Sequence, residues 1–409
     1  MKIGIYFNQR IDVGGGYYEA IESIQKIIDS NFHTNVEIYT SNKSNLATLD
    51  NTKLKIKFIN LNVFWRLILT FRRFIFDIAI RIIPGNTIPV ILIKKLMFRF
   101  NHFEKLFIQN NVDIVYFTSP DANAIYLENL NFIFPVWDLA HIEKPYFPEL
   151  LGTHAYDTRE FLYRKVLLKA YAITVGHQYA KEQVSKYYQV PENKIFLIPF
   201  KASKYLRNYS DKSLELKRKK ERYLYYPAQY NAHKNHIVIL KALKEIIKTD
   251  KFKNMKVVFS GSDKGNKKYL LNYVKKNNIE KNVIFKNFIS DEEVYSLYRN
   301  ASAVIMPSFI GPATLPTLEA MYLGIPLILP DFDFNVTFYE DSCLFFDNTE
   351  PSSVIACLDK LEENPILKKS IIMKGKLKYS QYQNSSELDK LNRHISKYSS
   401  FSDTYENEF

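Results

Sequence analysis

One pattern restricts this chain more than any other: short apolar runs alternate with longer stretches of helical periodicity. Lys2–Phe7, Val36–Tyr39, Ile114–Phe117, Phe132–Val136, Ala172–Val175 and Lys194–Ile198 read as strands, with helices over Tyr17–Ile28, Phe161–Tyr171 and Tyr179–Tyr188. Apolar strands alternating with helices build parallel sheets covered on both faces. The alternation then starts afresh. Tyr223–Tyr226, Met255–Ser260, Val283–Phe285, Ala303–Met306 and Pro326–Leu329 read as strands, and Ile237–Thr249, Lys267–Asn277 and Asp291–Asn300 as helices. Ser290 followed by Glu293 is a capping-box signature that fixes the start of the Asp291 helix. Pro316 opens a further helix and Gly324 ends it.

The expected fold class is therefore α/β with two doubly wound parallel sheets. The boundaries predicted are 1–205 for the first domain, 206–222 for a linker, 223–385 for the second domain and 386–409 for a polar tail that frays from Ser399. The linker carries Lys217-Arg218-Lys219-Lys220. A chain of 409 residues has room for two cores of this size.

Composition narrows the class. Hydrophobic residues at 46% and charged residues at 24% exclude a mostly disordered or collagen-like chain. Two cysteines, Cys343 and Cys357, are too few for a disulfide framework or a four-thiolate zinc site and point to a reducing compartment, the cytoplasm. The opening Met-Lys-Ile-Gly-Ile-Tyr-Phe reads as a strand, so no secretion signal is expected.

The net charge of +13 implies an attraction to anions. Much of it gathers between Phe64 and Phe107, where Arg66, Arg72, Arg73, Arg81, Lys94, Lys95, Arg99 and Lys105 face only Asp77 and Glu104 among aromatic and aliphatic residues. Pro84, Gly85 and Pro89 interrupt the apolar runs before a membrane-spanning length accumulates. Two readings stand: basic helices lying on an anionic membrane surface, or ordinary core helices with solvated basic faces. No nucleic-acid-binding module accompanies the charge, and nucleic acid is not an expected partner.

Two loops have the composition of ligand sites. Gly14-Gly15-Gly16 follows the first strand and precedes a helix, which suits backbone approach to a ligand or a plain flexible turn; no GxGxxG follows. In the second half, Ser308-Phe-Ile-Gly-Pro-Ala-Thr-Leu-Pro-Thr-Leu-Glu-Ala-Met321 reads as a strand end, a small-residue loop and a helix. Backbone amides of Ala313, Thr314 and Leu315 would converge at the helix start, a setting suited to a diphosphate. Glu319, placed in the first turn, would accept hydrogen bonds from a ribose diol or merely complement the helix dipole.

Gly311–Met321, read with Tyr226-Pro-Ala-Gln-Tyr-Asn-Ala-His-Lys-Asn-His236, resembles the family-4 glycosyltransferases of the GT-B fold. The resemblance implies two Rossmann-like domains facing a central cleft that closes over a nucleotide diphosphate sugar, and transfer of the sugar to a surface glycan or glycolipid. It implies no metal and no cofactor beyond that donor, whose base is not specified. Glu319 matches the second glutamate of a Glu-x7-Glu motif, a nucleotide-ribose contact, while eight places earlier stands Gly311. Lys234 matches a lysine that neutralises the leaving diphosphate, and Gln229 stands where the family has an arginine. Phe134-Pro-Val-Trp-Asp-Leu-Ala-His-Ile-Glu143 resembles the segment that brings a histidine near the donor sugar. Its usual His-Asp pair reads Trp137-Asp138, which either passes the role to His141 or leaves His141 as a packed, hydrogen-bonded histidine, with Asp138 orienting an acceptor hydroxyl or His141.

The expected site thus comprises His141, Asp138, Lys234 and Glu319 for catalysis, and Gly15, Gly16, Lys234, Gly311, Ala313, Thr314, Leu315 and Glu319 for the donor. Two rivals keep the fold: a sugar-nucleotide 2-epimerase, and a non-catalytic subunit that binds a partner transferase. Asp331-Phe-Asp333 and the His233/His236 pair are formal metal patterns, but neither is expected to hold an ion. Cytoplasmic location, with a peripheral position on the inner face of the cell membrane, and an open oligomeric state complete the reading.

Overall fold

The computed structural model describes residues 1–10, 15–29, 35–49, 54–82, 100–152, 155–211, 222–311, 314–384 and 386–406. They form two compact units. The first comprises Met1–Trp137, Glu160–Ile198 and Ser386–Phe409; the second comprises Asp138–Arg159 and Pro199–Ser385.

The first unit holds a seven-stranded sheet of β1 (Lys2–Tyr6), β2 (Asn35–Thr40), β3 (Lys55–Phe58), β4 (Ile114–Phe117), β5 (Asn131–Val136), β6 (Ala172–Val175) and β7 (Ile195–Leu197). The spatial order is β3-β2-β1-β4-β5-β6-β7, and every pairing is parallel. β4 and β6 are buried along their whole length, as central strands covered on both faces must be. β3 escaped the sequence reading because Lys55 and Lys57 break its apolar pattern, a composition typical of an edge strand.

The helix expected over Phe161–Tyr171 instead runs Ala155–Val166. It stops early because the chain must turn into β6: the Tyr171 amide already pairs with the Phe132 carbonyl at 2.9 Å. The expected frayed tail is corrected as well. Glu387–Glu406 is a helix whose Leu391 and Ile395 are buried in the first unit's core with Ile3, Ile24 and Phe196, and the Tyr171 hydroxyl donates to the His394 carbonyl at 2.7 Å. Burying those two aliphatic side chains is worth about 1.5–3 kcal/mol each by transfer from water.

Among the predicted basic helices, Val63–Ile82 is a single helix, and 83–99 lies outside the described residues. Its inward side carries Leu69 and Arg72. Arg72 pairs with Glu128, and Arg73 reaches the same carboxylate at 3.8 Å. The exposed side is mostly apolar: Val63, Phe64, Leu67, Phe71 and Phe74 are 61–74% exposed, with Arg66 exposed among them.

The second unit holds a six-stranded parallel sheet of β8 (Tyr223–Pro227), β9 (Lys256–Ser260), β10 (Val283–Lys286), β11 (Ala303–Ile305), β12 (Leu327–Pro330) and β13 (Leu344–Phe346), in the order β10-β9-β8-β11-β12-β13. β13, three residues long, was too short to register as a pattern. Ser290 caps the Asp291–Asn300 helix by accepting the Glu293 amide at 3.2 Å, while the Glu293 side chain turns to Lys286 instead of closing the box. Of the linker predicted at 206–222, the part through Asp211 continues the Lys204–Asp211 helix of this unit, and 212–221 lies outside the described residues. The chain order reverses direction between β8 and β11, where loops leave the carboxyl ends of the two neighbouring strands in opposite directions.

Candidate functional site

Two loops at the carboxyl ends of β8 and β11 are tied together in the second unit. After β8 the chain passes through the Ala232–Lys234 turn to Asn235, whose φ of 51° lies in the left-handed region that asparagine tolerates. The turn is fixed from several sides. The Phe309 amide donates to the His233 carbonyl at 3.0 Å, the Tyr226 hydroxyl to the Lys234 carbonyl at 2.9 Å, and the Asn235 amide group to the Asn348 carbonyl at 2.9 Å. Gly261 makes this approach feasible: a Cβ there would lie 2.2 Å from the Ala228 carbonyl oxygen.

Lys234 leaves that turn toward the second loop, and its Nζ is 3.4 Å from the Ser308 hydroxyl. Burial lowers the pKa of the ammonium, while the charges of Asp138 and Glu149 work to keep it protonated. Three residues past Ser308, Gly311 adopts φ +71°. That conformation disfavours any side chain and gives a backbone reason for glycine where the resemblance has glutamate.

The helix Leu315–Leu323 begins with Thr314 as its N-cap. The Thr314 hydroxyl does not cap the helix; it turns to the Met306 sulfur at 3.8 Å. Pro316 has no N–H, and the Thr317 amide bonds to the Thr314 carbonyl at 3.1 Å. Among the described residues no group accepts from the Leu315 amide. Ala313, expected to contribute another amide, lies outside the described residues.

Glu319 sits in the second turn of this helix rather than the first, so the expected first-turn placement is corrected. It is 4% exposed, and both carboxylate oxygens are taken. Ser203 donates to Oε1 at 2.5 Å and Tyr298 to Oε2 at 2.8 Å. Burial raises its pKa to about 7, against the lowering effect of those two hydroxyls. The helix is braced again where Tyr339 donates to the Thr317 hydroxyl at 2.6 Å.

The stretch Asp138–Arg159 packs into this unit and brings groups that sequence spacing did not reveal. Glu149, in the short Pro148–Leu151 helix, accepts the His233 amide at 2.8 Å and also contacts its Nδ1. Phe147 packs against the rings of His233 and Phe309 at 6.0 and 5.3 Å. Arg159 Nη1 donates to Asp138 Oδ1 at 2.7 Å, and the Ala140 amide donates to the same oxygen at 3.1 Å. Burial alone would raise the Asp138 pKa, but Arg159 and that amide hold it below the usual carboxylate range. His141 is fully buried, with its ring 5.8 Å from that of Tyr156.

Of the expected site, Lys234 lies on the first loop and Gly311, Thr314 and Leu315 on the second, which Lys234 reaches at Ser308; Glu319 and His141 are buried. Gly15 and Gly16 start the Gly15–Asp29 helix of the first unit. Glu149, Arg159, Ser203, Tyr298 and Ser308 are the partners that sequence reading missed. The Pro148-Glu149 pair carried a helix-start signal only, and the others lie too far along the chain from their partners for any local spacing to link them.

His236 is buried among Tyr226, Tyr230 and Phe259, His233 is engaged by Glu149, and Asp333 opens the Asp333–Tyr339 helix. Among the described residues no three His, Cys, Asp or Glu side chains cluster as a metal site. A hollow of about 630 Å³ lined by Arg222, Lys253, Lys256 and Lys281 lies at the opposite, amino ends of β8 to β10.

Residues 210–378 match the family model described as glycosyl transferases group 1. Alr3699/HepE from Anabaena, crystallised with UDP-glucose, superposes with a TM-score of 0.66 over 98% of this chain and 99% of its own at 13% identity. The chain has the GT-B fold. A glycosyltransferase from Rickettsia africae superposes on the GT-B chain with a TM-score of 0.63, covering 97% of each at 14% identity. WaaG, a glycosyltransferase involved in lipopolysaccharide biosynthesis, gives 0.60 over 96% of this chain and 98% of its own at 12% identity. Among curated proteins, the O-antigen biosynthesis glycosyltransferase WclY of Escherichia coli is 30% identical over 108 residues, 26% of this GT-B chain. That alignment spans 29% of the relative's length.

Proposed function

We propose that this chain is a glycosyltransferase that moves a sugar from a nucleotide diphosphate donor to a surface glycan or glycolipid. The observation that carries the reading is the position of Lys234 at the loop that leads to the Leu315–Leu323 helix, with its Nζ 3.4 Å from Ser308. Breaking a sugar–phosphate bond leaves negative charge on the diphosphate, and a fixed ammonium beside open backbone amides is what that charge requires. Lys234 supplies the cation, and Gly311, Ala313, Thr314 and Leu315 supply the loop and the amides. The reading invokes no metal. Glu319, which the family resemblance directs to the ribose, reaches it by exchanging Ser203 for a ribose hydroxyl.

The acceptor is assigned to the first unit, whose Gly15 and Gly16 open a helix after β1. Asp138, held ionised by Arg159, orients His141 and the adjoining backbone instead of contacting the sugar itself. The names of WclY and WaaG, tied to O-antigen and lipopolysaccharide synthesis, support a surface-glycan product. No described helix is long and apolar enough to cross a membrane. The exposed apolar row from Val63 to Phe74 supports a peripheral position on the inner, cytoplasmic face of the membrane, where a lipid-linked acceptor would be met.

The test is release of nucleoside diphosphate from a panel of UDP-, GDP- and dTDP-sugars with membrane extract as acceptor. An epimerised nucleotide sugar formed without acceptor would point to the epimerase chemistry of the same fold. Failure to bind any nucleoside diphosphate in calorimetry would leave a non-catalytic partner subunit, a reading that Gln229 and Gly311 favour by removing two charged groups.

A further inference from the structure

His233 stands one residue before Lys234 and is joined to the second loop through its own carbonyl, which accepts the Phe309 amide at 3.0 Å. Among the described residues its ring is hydrogen-bonded through one nitrogen. Glu149 Oε1 accepts the His233 backbone amide at 2.8 Å and contacts Nδ1, so one carboxylate oxygen fixes both the main chain and the ring. A carboxylate is acceptor-only when ionised, which places the imidazole proton on Nδ1 and leaves a lone pair on Nε2. Among the described residues none hydrogen-bonds Nε2. Phe147 packs edge-on against the ring and restricts its rotation.

We propose that Glu149 and His233 form a positioning dyad in which Nε2 of a neutral His233 accepts a hydrogen bond from a hydroxyl of the donor's sugar, beside the diphosphate held by Lys234. The inference rests on the donor site proposed above. The charge pattern around the ring agrees with it: burial and the adjacent Lys234 lower the His233 pKa to about 4, against the raising effect of Glu149 and Asp138. A neutral ring next to a lysine does not add a second cation for the diphosphate. It supplies an acceptor, the one group that an ammonium and a row of amides lack. Lys234 and the helix start would grip the part common to all nucleoside diphosphates, and the dyad would read the sugar.

Two measurements on the full chain test this. The first is imidazole nitrogen spectroscopy of protein labelled with 15N-histidine, between about pH 5.5 and pH 8, with His233 assigned through the His233→Asn variant. The Nδ1-protonated neutral form is expected throughout, with mixed tautomers in Glu149→Gln. A wild-type ring protonated on Nε2 overturns the dyad.

The second uses UDP-glucose and GDP-mannose as donors, and UDP and GDP as binding probes. His233→Asn keeps an amide for Glu149 but nothing at the Nε2 position, and is expected to lose about tenfold or more in kcat/KM while affinity for UDP or GDP changes less than about twofold. His233→Gln, whose amide reaches the Nε2 position, recovers much of the loss. Equal losses in the two variants, or a matching loss of UDP and GDP affinity, indicate packing alone and overturn the proposal. Absence of turnover in the wild type strikes the transfer reading instead, and the spectra then decide the dyad by themselves.

Discussion

Ser203 donates its hydroxyl to Glu319 at 2.5 Å across 116 positions of sequence, and the pair is buried in the second unit. With Tyr298 on the other oxygen, the carboxyl has a raised pKa of about 7, against an ordinary 4.5. Between those values the folded state binds a proton that the unfolded chain has released, so the contribution of Glu319 to stability falls as pH rises through the window. Glu319→Gln, neutral at every pH, should remove that fall. The difference between its thermal unfolding curve and the wild type's, followed from about pH 4.5 to pH 7.5, isolates the effect from the opposite slope of His233 and His236. Glu319→Ala strands two buried hydroxyls and should cost about 1–3 kcal/mol. A flat difference curve for the glutamine variant would show that Glu319 titrates normally.

Lys234→Ala is expected to weaken binding of nucleoside diphosphate by about tenfold, roughly 1.4 kcal/mol, and to lower donor turnover at least as much. Calorimetry with UDP and GDP reads the first and diphosphate release the second. Unchanged values in both would remove the cation from the donor site.

Gly311→Glu restores the carboxylate of the family motif in sequence but not in function. The φ of +71° costs a side chain about 1–2 kcal/mol, although open space surrounds the position, with the nearest atom 4.0 Å from a would-be Cβ. Lower thermal stability and no gain in turnover are expected, with Gly311→Asn tolerated better because asparagine accepts the left-handed region. A faster and equally stable glutamate variant would contradict this account.

The apolar row on the Val63–Ile82 helix predicts binding to anionic vesicles that survives moderate salt in large part, because Arg72 and Arg73 turn inward to Glu128 and the exposed contact is mostly apolar, with Arg66 the exposed cation within it. Flotation of the wild type, and its loss in Phe71→Asp with an unchanged thermal midpoint, are the expected results. Equal flotation of both would place the membrane contact elsewhere.

The legible parts of the fold were those written in local pattern. Ile114–Phe117 and Ala172–Val175 appear in the sequence as the strands they are, because central parallel strands are apolar along their whole length. β3 was hidden by the lysines that suit an edge, and the Glu387–Glu406 helix by a polar exterior around Leu391 and Ile395. For the proposed site, Lys234 and Gly311 stand out in the sequence because each lies in a compact motif. Glu149 and Arg159 were not, because their partners His233 and Asp138 come from distant segments and only folding brings them together.

The segment Asp138–Arg159 interrupts one unit to complete the other, and the C-terminal helix returns to the first. The backbone accordingly changes allegiance at 137/138, 159/160, 198/199 and 385/386. A truncation at the apparent linker would deprive the C-terminal fragment of Glu149 and the N-terminal fragment of a helix, so neither product would be a faithful half. Dissecting this polypeptide calls for grafting Asp138–Arg159 onto the fragment that owns it.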